Sequence, residues 1–312
     1  QQAFGRQGQR IGSAIEPRIR LGVIIQPIHN GGAQTGLGTG QGKSTSVQAT
    51  ADDQNIEYLC HVAEYEPRTG IVHALPCRYR HDNQRSLEMD DWLKMSAAAL
   101  GRGIAAREFD PVALTDAYLN AMDAHDFSPR IHARLTADRA RNEAADASER
   151  ARLGLRRSAL DGVPISWKDL FDTAGVGTEA GSLLLTGRVP EHDAEVLKNA
   201  TAMGLVCLGK THMSELAVSG LGYNPSTATP PCVNDHGTVS GGSSSGAAAS
   251  VAFGLAAAAI GSDTGGSVRI PAAWNDLVGL KTTAGRVSLD GVVPLAKQFD
   301  TVGPLCRSVE DA

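Results

Sequence analysis

The sequence predicts an α/β fold whose sheet is at least partly parallel. Residues 163–167 have the pattern of a short strand, a helix follows from His192 or Asp193 to Gly204, and residues 205–208 form a second, buried strand. This strand–helix–strand alternation is typical of parallel sheets covered by helices. The composition is consistent with it, because alanine and glycine are abundant and aromatic residues make up only 4% of the chain.

Regular patterns begin near residue 89 and divide the chain in two. Residues 1–88 have no sustained periodicity, which indicates an irregular segment that is flexible or foreign to the domain, and residues 89–312 form the domain. Gly42-Lys43-Ser44 invites comparison with a phosphate-binding loop. That motif requires glycine where Leu37 stands, so a flexible tail is favoured.

Three helices are predicted at the start of the domain. Residues 95–106 are rich in alanine. Asp110 followed by Pro111 is typical of a helix start, with an N-cap and then proline in the first turn. One apolar face follows: Leu114, Ala117, Tyr118, Ala121 and Met122. Residues 136–153 alternate charged residues with an alanine stripe, which indicates a largely solvated helix.

The second half of the domain contains shorter elements. Residues 211–216 have the pattern of a helix start, and residues 219–240 form a long loop because they hold several glycine, proline and threonine residues. Residues 277–280 are a later strand.

Bulk properties exclude several classes of protein. The formal net charge of −5 gives no general electrostatic case for nucleic-acid binding. The five cysteines are widely spaced and form no Cys-x-x-Cys pair, which favours a reducing, cytoplasmic setting without disulfides or a zinc site. We expect no secretory signal, because the first residues lack the apolar core of one. The sequence has no apolar run of the roughly 18 residues that a membrane span needs.

Two glycine- and serine-rich loops, 241–246 and 261–271, bracket one alanine-rich segment, which we expect to form a buried helix and strand. A serine hydroxyl acts as a nucleophile only if a base removes its proton. Lys168, at the end of the strand 163–167, is a candidate base, whereas His212 and His236 lie outside both loops. Taken singly, a glycine–serine run indicates a linker and a lone lysine indicates a solvated charge.

Taken together, these segments resemble the signature of the amidase signature family of serine hydrolases. The resemblance rests on Gly-Gly-Ser-Ser-Ser-Gly at 241–246, on Gly-Ser-Asp-Thr-Gly-Gly-Ser-Val-Arg-Ile-Pro at 261–271, and on their separation. Residues 162–169 are similar to the family's lysine motif, and three further blocks continue the match: 208–211, 278–286 and 300–304. The resemblance covers the chain from about residue 89 to its end.

The resemblance implies a Ser–Ser–Lys triad. Ser267 is then the nucleophile, Ser243 the bridging serine and Lys168 the base. Lysine accepts a proton only when neutral, so its pKa must fall from about 10.4, as burial makes it do. In the family the peptide bond before the bridging serine is cis, and Gly242 is the least hindered residue to precede it.

The resemblance also implies an oxyanion hole made of backbone N–H groups. These belong to Thr264, Gly265, Gly266 and Ser267, and we expect a side chain at Gly265 or Gly266 to crowd the acyl group. Asp263 and Arg269 flank this loop and are expected to hold it through a charged hydrogen bond. Cys232 has no identifiable partner base and is not expected to be a nucleophile.

The function implied is hydrolysis of a carboxylic amide to carboxylate and ammonia or amine, with no metal and no organic cofactor. The fold implied is a mixed β-sheet flanked by helices. Family members continue well beyond the position of Ala312, so the resemblance implies that a C-terminal part is missing. Two alternatives share every motif: the A subunit of a glutamine-dependent tRNA amidotransferase, and an inactive fragment. The expected partner is a small-molecule amide, without membrane or direct nucleic-acid contact outside an amidotransferase, and a homodimer is left open.

Overall fold

The computed structural model describes residues 49–52, 55–66, 71–80 and 89–312. The chain divides into two units, 1–86 and 87–312. In the first unit, three strands form an antiparallel sheet: β1 (Ala49–Asp52), β2 (Asn55–Glu66) and β3 (Ile71–Arg80). These strands lie within the range 1–88, which the sequence indicates to be irregular. Leu37 and Gly42-Lys43-Ser44 lie outside the described residues, and the assignment of 1–88 to a separate segment stays a prediction.

The second unit is built on one mixed sheet of six strands in the order β4-β6-β5-β7-β9-β8. In chain order the strands are β4 (His132–Leu135), β5 (Pro164–Lys168), β6 (Val206–Thr211), β7 (Ala258–Ser262), β8 (Val278–Gly279) and β9 (Val302–Cys306). The strand β5 runs parallel to both of its neighbours, β6 and β7, and the outer pairs are antiparallel. The predicted α/β class and the mixed sheet flanked by helices are therefore confirmed.

Helices surround this sheet, and their bounds follow capping signals in the sequence. They are α1 (Met89–Trp92), α2 (Ala97–Ala106), α3 (Pro111–Ala124), α4 (Ser128–Ile131), α5 (Ala137–Leu153), α6 (Glu195–Ala202), α7 (Ser245–Ala252) and α8 (Arg269–Trp274), with short 3₁₀ turns at Leu183–Leu185 and Glu215–Ala217. The start of α3 is as predicted, because the Asp110 side chain accepts a hydrogen bond from Val112 N at 2.8 Å.

Two predicted helix starts are wrong, each for a visible reason. Asp193 does not cap α6, because its carboxylate accepts hydrogen bonds from both terminal nitrogens of Arg139 at 2.8 and 2.9 Å. The N-cap residue of α6 is Ala194. Thr211 does not begin a helix, because it is the last residue of the fully buried strand β6. Only the 3₁₀ turn Glu215–Ala217 follows it.

The core is formed by the sheet and the apolar faces of α2, α3, α5 and α7. The alanine stripe of α5 is buried at Ala140, Ala144 and Ala147, as its spacing predicts. The alanine-rich segment between the two loops forms α7 and β7, and every residue from Ser245 to Val251 is buried. Within the described parts of the chain, no helix is both long and apolar enough to cross a bilayer.

Candidate active site

The parallel strands β5 and β7 bring two polar side chains to one edge of the sheet. Lys168 is the last residue of β5 and Ser262 is the last residue of β7. Trp167 pairs with Ile260, one residue before the end of β5 and two residues before the end of β7. Because carboxyl ends of parallel strands face the same edge, functional groups gather there. The Lys168 Nζ and the Ser262 Oγ are 2.8 Å apart.

The same lysine nitrogen reaches the first glycine–serine loop. Lys168 Nζ donates to Ser243 Oγ at 2.8 Å, over a sequence separation of 75 residues. Both Lys168 and Ser243 are completely buried. Burial disfavours the charged ammonium and lowers the pKa of Lys168 from 10.5 to about 7, although the nearby charges of Asp263 and Asp300 oppose this fall. A large fraction of this lysine is therefore neutral near pH 7.

Close backbone packing places Ser243. Gly242 lies against Gly222, and a Cβ at this position would approach Gly222 N to 2.5 Å. The peptide bond between Gly242 and Ser243 is cis. The Ser243 carbonyl then accepts from Ser214 N at 3.1 Å. These contacts anchor Ser243 to the segment that follows β6.

Gly246, in the first turn of α7, has no room for a side chain. Its N–H donates to His212 O at 2.9 Å, and a Cβ would approach Ile131 O to 2.5 Å and His212 O to 2.7 Å. We expect Gly246→Ala to lower the free energy of unfolding by about 1–3 kcal/mol, because overpacking outweighs the better helix propensity of alanine. Urea unfolding measures the change. Gly265→Ala is the control for stability, since no atom lies within 4 Å of a Cβ there; equal losses in both variants would contradict the packing argument.

The second loop is organised around the buried carboxylate of Asp263. It accepts from Gly266 N at 2.7 Å, from Val268 N at 3.2 Å, and from Arg269 Nε at 2.9 Å. Burial raises the pKa of this carboxyl, but the Arg269 guanidinium and the two N–H groups outweigh it and hold the pKa below its usual value. The predicted contact between Asp263 and Arg269 is thus present, and it bridges both ends of the loop that carries Ser267.

The four backbone N–H groups proposed for the oxyanion hole do not have equal status. Gly266 N donates to Asp263, so this group already has an acceptor. The N–H groups of Thr264, Gly265 and Ser267 have no acceptor among the described residues. Gly265 is exposed, and Ser267 is 8% exposed. Three of the four N–H groups therefore lack an acceptor within the described part of the chain.

Ser244 and Ser262 connect the two loops, and sequence reasoning assigned neither of them a role. Ser244 N donates to Ser267 O at 3.1 Å, and its hydroxyl exchanges 3.3 Å hydrogen bonds with the backbone of Ser262. Gly261 makes this approach possible, because a Cβ there would lie 2.6 Å from Ser244 Oγ. The position of Ser262 at a strand end, one residue before Asp263, is the signal that could have identified it.

The remaining candidates lie apart from this network. The backbone of His212 is used by Gly246, and the ring of His236 packs against Phe127 and Phe253. The thiol of Cys232 is buried and donates to Trp274 O at 3.2 Å. None of these contacts includes Lys168, Ser243 or Ser267.

A buried lysine bonded to a serine, beside a loop of unpaired N–H groups, is the kind of site in which a neutral amine activates a serine hydroxyl. The chain belongs to the amidase family, whose model matches residues 113–312.

The chain is similar both to components of tRNA amidotransferases and to amidases. It is 47% identical over 214 residues to the A subunit of the glutamyl-tRNA(Gln) amidotransferase of Anaeromyxobacter dehalogenans (strain 2CP-C), a match that covers 68% of this chain and 43% of the relative. The peptide amidase of Stenotrophomonas maltophilia has a TM-score of 0.66 and 39% identity, over 70% of this chain and 46% of that one. Fatty acid amide hydrolase has a TM-score of 0.66 at 26% identity, over 72% and 40% of the chains. The chain thus spans less than half the length of these relatives.

Proposed function

We propose that this chain carries the catalytic serine site of an amidohydrolase, which cleaves a carboxylic amide through an acyl-enzyme on Ser267. The observation that carries the proposal is the contact of the buried Lys168 Nζ with Ser243 Oγ at 2.8 Å. A lysine whose pKa is about 7 serves as a base at neutral pH.

The first half of the reaction forms the acyl-enzyme. Ser267 Oγ attacks the amide carbonyl carbon, its proton passes to Ser243 Oγ, and the Ser243 proton passes to Lys168 Nζ. When the tetrahedral intermediate collapses, the C–N bond breaks and the proton returns through Ser243 to the leaving nitrogen. Water then attacks the ester carbonyl and gives up its proton by the same route. The bond from the acyl carbon to Ser267 Oγ breaks, the carboxylate is released, and the proton returns to Ser267 Oγ, which regenerates the hydroxyl.

Ser262 gives the lysine a defined orientation in this scheme. A neutral amine has two N–H donors and one lone pair. If one N–H donates to Ser262 Oγ at 2.8 Å, the lone pair is free to accept the Ser243 proton. The N–H groups of Thr264, Gly265 and Ser267 stabilise the oxyanion, because donors fixed before the reaction need no reorganisation.

A fluorophosphonate probe tests the nucleophile directly, because it phosphonylates an activated serine. We expect the chain to be labelled and Ser267→Ala to lose essentially all labelling. Ser288→Ala is the matched control, since Ser288 is exposed on a loop. Equal labelling of the wild type and Ser267→Ala would contradict the nucleophile assignment. An unlabelled but folded wild type would show that a chain of this length is inactive.

The A subunit of a tRNA amidotransferase is the second candidate function, favoured by the 47% identity to a protein of that name. Turnover separates the two. Release of free acid from simple amides by this chain alone supports the amidase, whereas glutamine hydrolysis that requires partner proteins supports the amidotransferase. In either case the direct ligand of the site is a small molecule with a carboxamide group.

A further inference from the structure

Asp300 lies beside the loop of residues 261–271, here called the oxyanion loop, because of the register between β7 and β9. The strands β7 and β9 are antiparallel, and Ser262 pairs with Val302. The residues just before β9 therefore run alongside those just after β7. Asp263 N donates to Thr301 O at 2.8 Å, and Thr301 N donates back to Asp263 O at 3.1 Å.

The Asp300 carboxylate binds the loop through Thr264. It accepts from Thr264 Oγ1 at 2.5 Å, from Leu295 N at 3.0 Å, and from Ala296 N at 3.0 and 3.1 Å. Asp300 is only 6% exposed. The backbone N–H groups of Leu295 and Ala296 fix the position of the carboxylate, and the carboxylate in turn fixes the Thr264 hydroxyl. Thr264 also carries one of the three unpaired N–H groups described above.

The two buried carboxylates near Lys168 differ in charge balance. Asp263 forms a salt bridge with Arg269 at 2.9 Å. No lysine, arginine or histidine nitrogen lies within 4 Å of the Asp300 carboxylate among residues 91–312, whose side chains the structure describes. The Asp300 carboxylate therefore has hydrogen-bond donors but no cationic partner. Lys168 Nζ contacts Ser262 Oγ at 2.8 Å, and Ser262 pairs with Val302, two residues after Asp300. The carboxylate thus lies just before the strand that neighbours the lysine's partner, and in low-dielectric surroundings its charge favours the ammonium form of Lys168.

We propose that Asp300 is a positioning residue for this site: its carboxylate holds Thr264 in the oxyanion loop and supplies an unpaired negative charge that acts on Lys168. This inference rests on the proposed function for its catalytic consequence, but the charge effect stands without turnover. Asp300 thus acts on the site in two separate ways: through its hydrogen bond with the Thr264 hydroxyl, and through the electrostatic effect of its charge on Lys168.

The electrostatic effect of Asp300 on the pKa of Lys168 is tested by NMR titration of the Lys168 ¹³Cε signal. This signal is assigned by its absence in Lys168→Ala. The charged groups that act on Lys168 are Asp263 and Asp300. Removing one negative charge disfavours the ammonium, so we expect the pKa of Lys168 in Asp300→Asn to fall below the wild-type value. Asp290→Asn, on the exposed surface, leaves it unchanged. An unshifted titration in folded Asp300→Asn overturns the charge effect, whether or not the chain is active.

The hydroxyl link is tested by the rate of fluorophosphonate labelling. Thr264→Val keeps the shape and the Asp300 charge but removes the hydroxyl. We expect labelling to slow by at least about tenfold, because small displacements of reacting groups have large kinetic costs, with the Lys168 titration unchanged. A wild-type labelling rate in Thr264→Val overturns the positioning role, also if Asp300→Asn fails to fold. Labelling that persists in Ser267→Ala instead overturns the proposed function.

Discussion

Replacing Lys168 with alanine is expected to reduce amide turnover by about 10²- to 10⁴-fold, the range typical of general acid–base catalysis, while the fold is retained. The reason is that no other described titratable nitrogen contacts Ser243. The measurement is kcat/KM on a chromogenic anilide, with thermal unfolding as the check on folding. Lys198→Ala is the matched control, because the Lys198 side chain is 69% exposed. Unchanged turnover in Lys168→Ala would rule out the base role.

The pH profile gives the same assignment a second test. Lys168 is a base only when neutral, and its pKa is lowered to about 7, so kcat/KM should rise with pH through about 7 and then level off. Residual activity in Lys168→Ala should lack this limb. A wild-type limb near pH 10 instead would mean that the lysine is hydrated in solution and does not serve as the base at neutral pH.

The lowered pKa of Lys168 should also make the free energy of unfolding depend on pH. In the unfolded chain the pKa of a lysine is about 10.4. Between about pH 7 and 10 the unfolded state therefore binds more protons than the folded state, and the free energy of unfolding rises with pH. Lys168→Ala should flatten this rise in urea titrations, since it removes the group whose pKa differs between the states.

Asp263→Asn is expected to have the second-largest effect. The Asp263 side chain is fully buried and holds the loop of Ser267 through Gly266 N, Val268 N and Arg269. An amide nitrogen in place of one carboxylate oxygen faces these donors without a bond. We expect the free energy of unfolding to fall by about 1–3 kcal/mol and fluorophosphonate labelling to slow by about 10²-fold.

Arg269→Ala provides the matched comparison. The Arg269 side chain is 52% exposed, so its charge is partly screened. When the guanidinium is removed, the Asp263 carboxylate keeps its backbone donors Gly266 N and Val268 N. We expect Arg269→Ala to lower the free energy of unfolding and the labelling rate less than Asp263→Asn does, and the exposed Asp290→Asn to lower neither. If Arg269→Ala were the more damaging variant, the guanidinium rather than the carboxylate would organise the loop.

Local signals predicted much of this fold. The helix from Pro111 and the buried strand ending at Lys168 follow from capping and apolar patterns that act over a few residues. The start of α6 could not be predicted in this way. Asp193 has the side chain of a good N-cap, but its contact with Arg139, 54 residues away, outweighs that local preference.

The site was predicted in part for the same reason. The motifs nominated Lys168, Ser243 and Ser267, and the structure brings Lys168 to Ser243 and ties Ser244 to Ser267. The second partner of the lysine, Ser262, depends on the pairing of β5 with β7. The contact of Asp300 with Thr264 depends on the register of β7 with β9. Neither pairing has a signature within a single segment of sequence.

The bond between Lys168 and Ser262 joins residues 94 positions apart, and this separation has a consequence for folding kinetics. Loop-closure entropy must be overcome before such a contact stabilises anything, so long-range pairings form slowly compared with helices. Helices such as α3 and α5 can assemble while β5 and β7 are still apart. Recovery of a reactive serine during refolding should therefore lag behind recovery of helical circular dichroism, because reactivity appears only when distant parts of the chain have met.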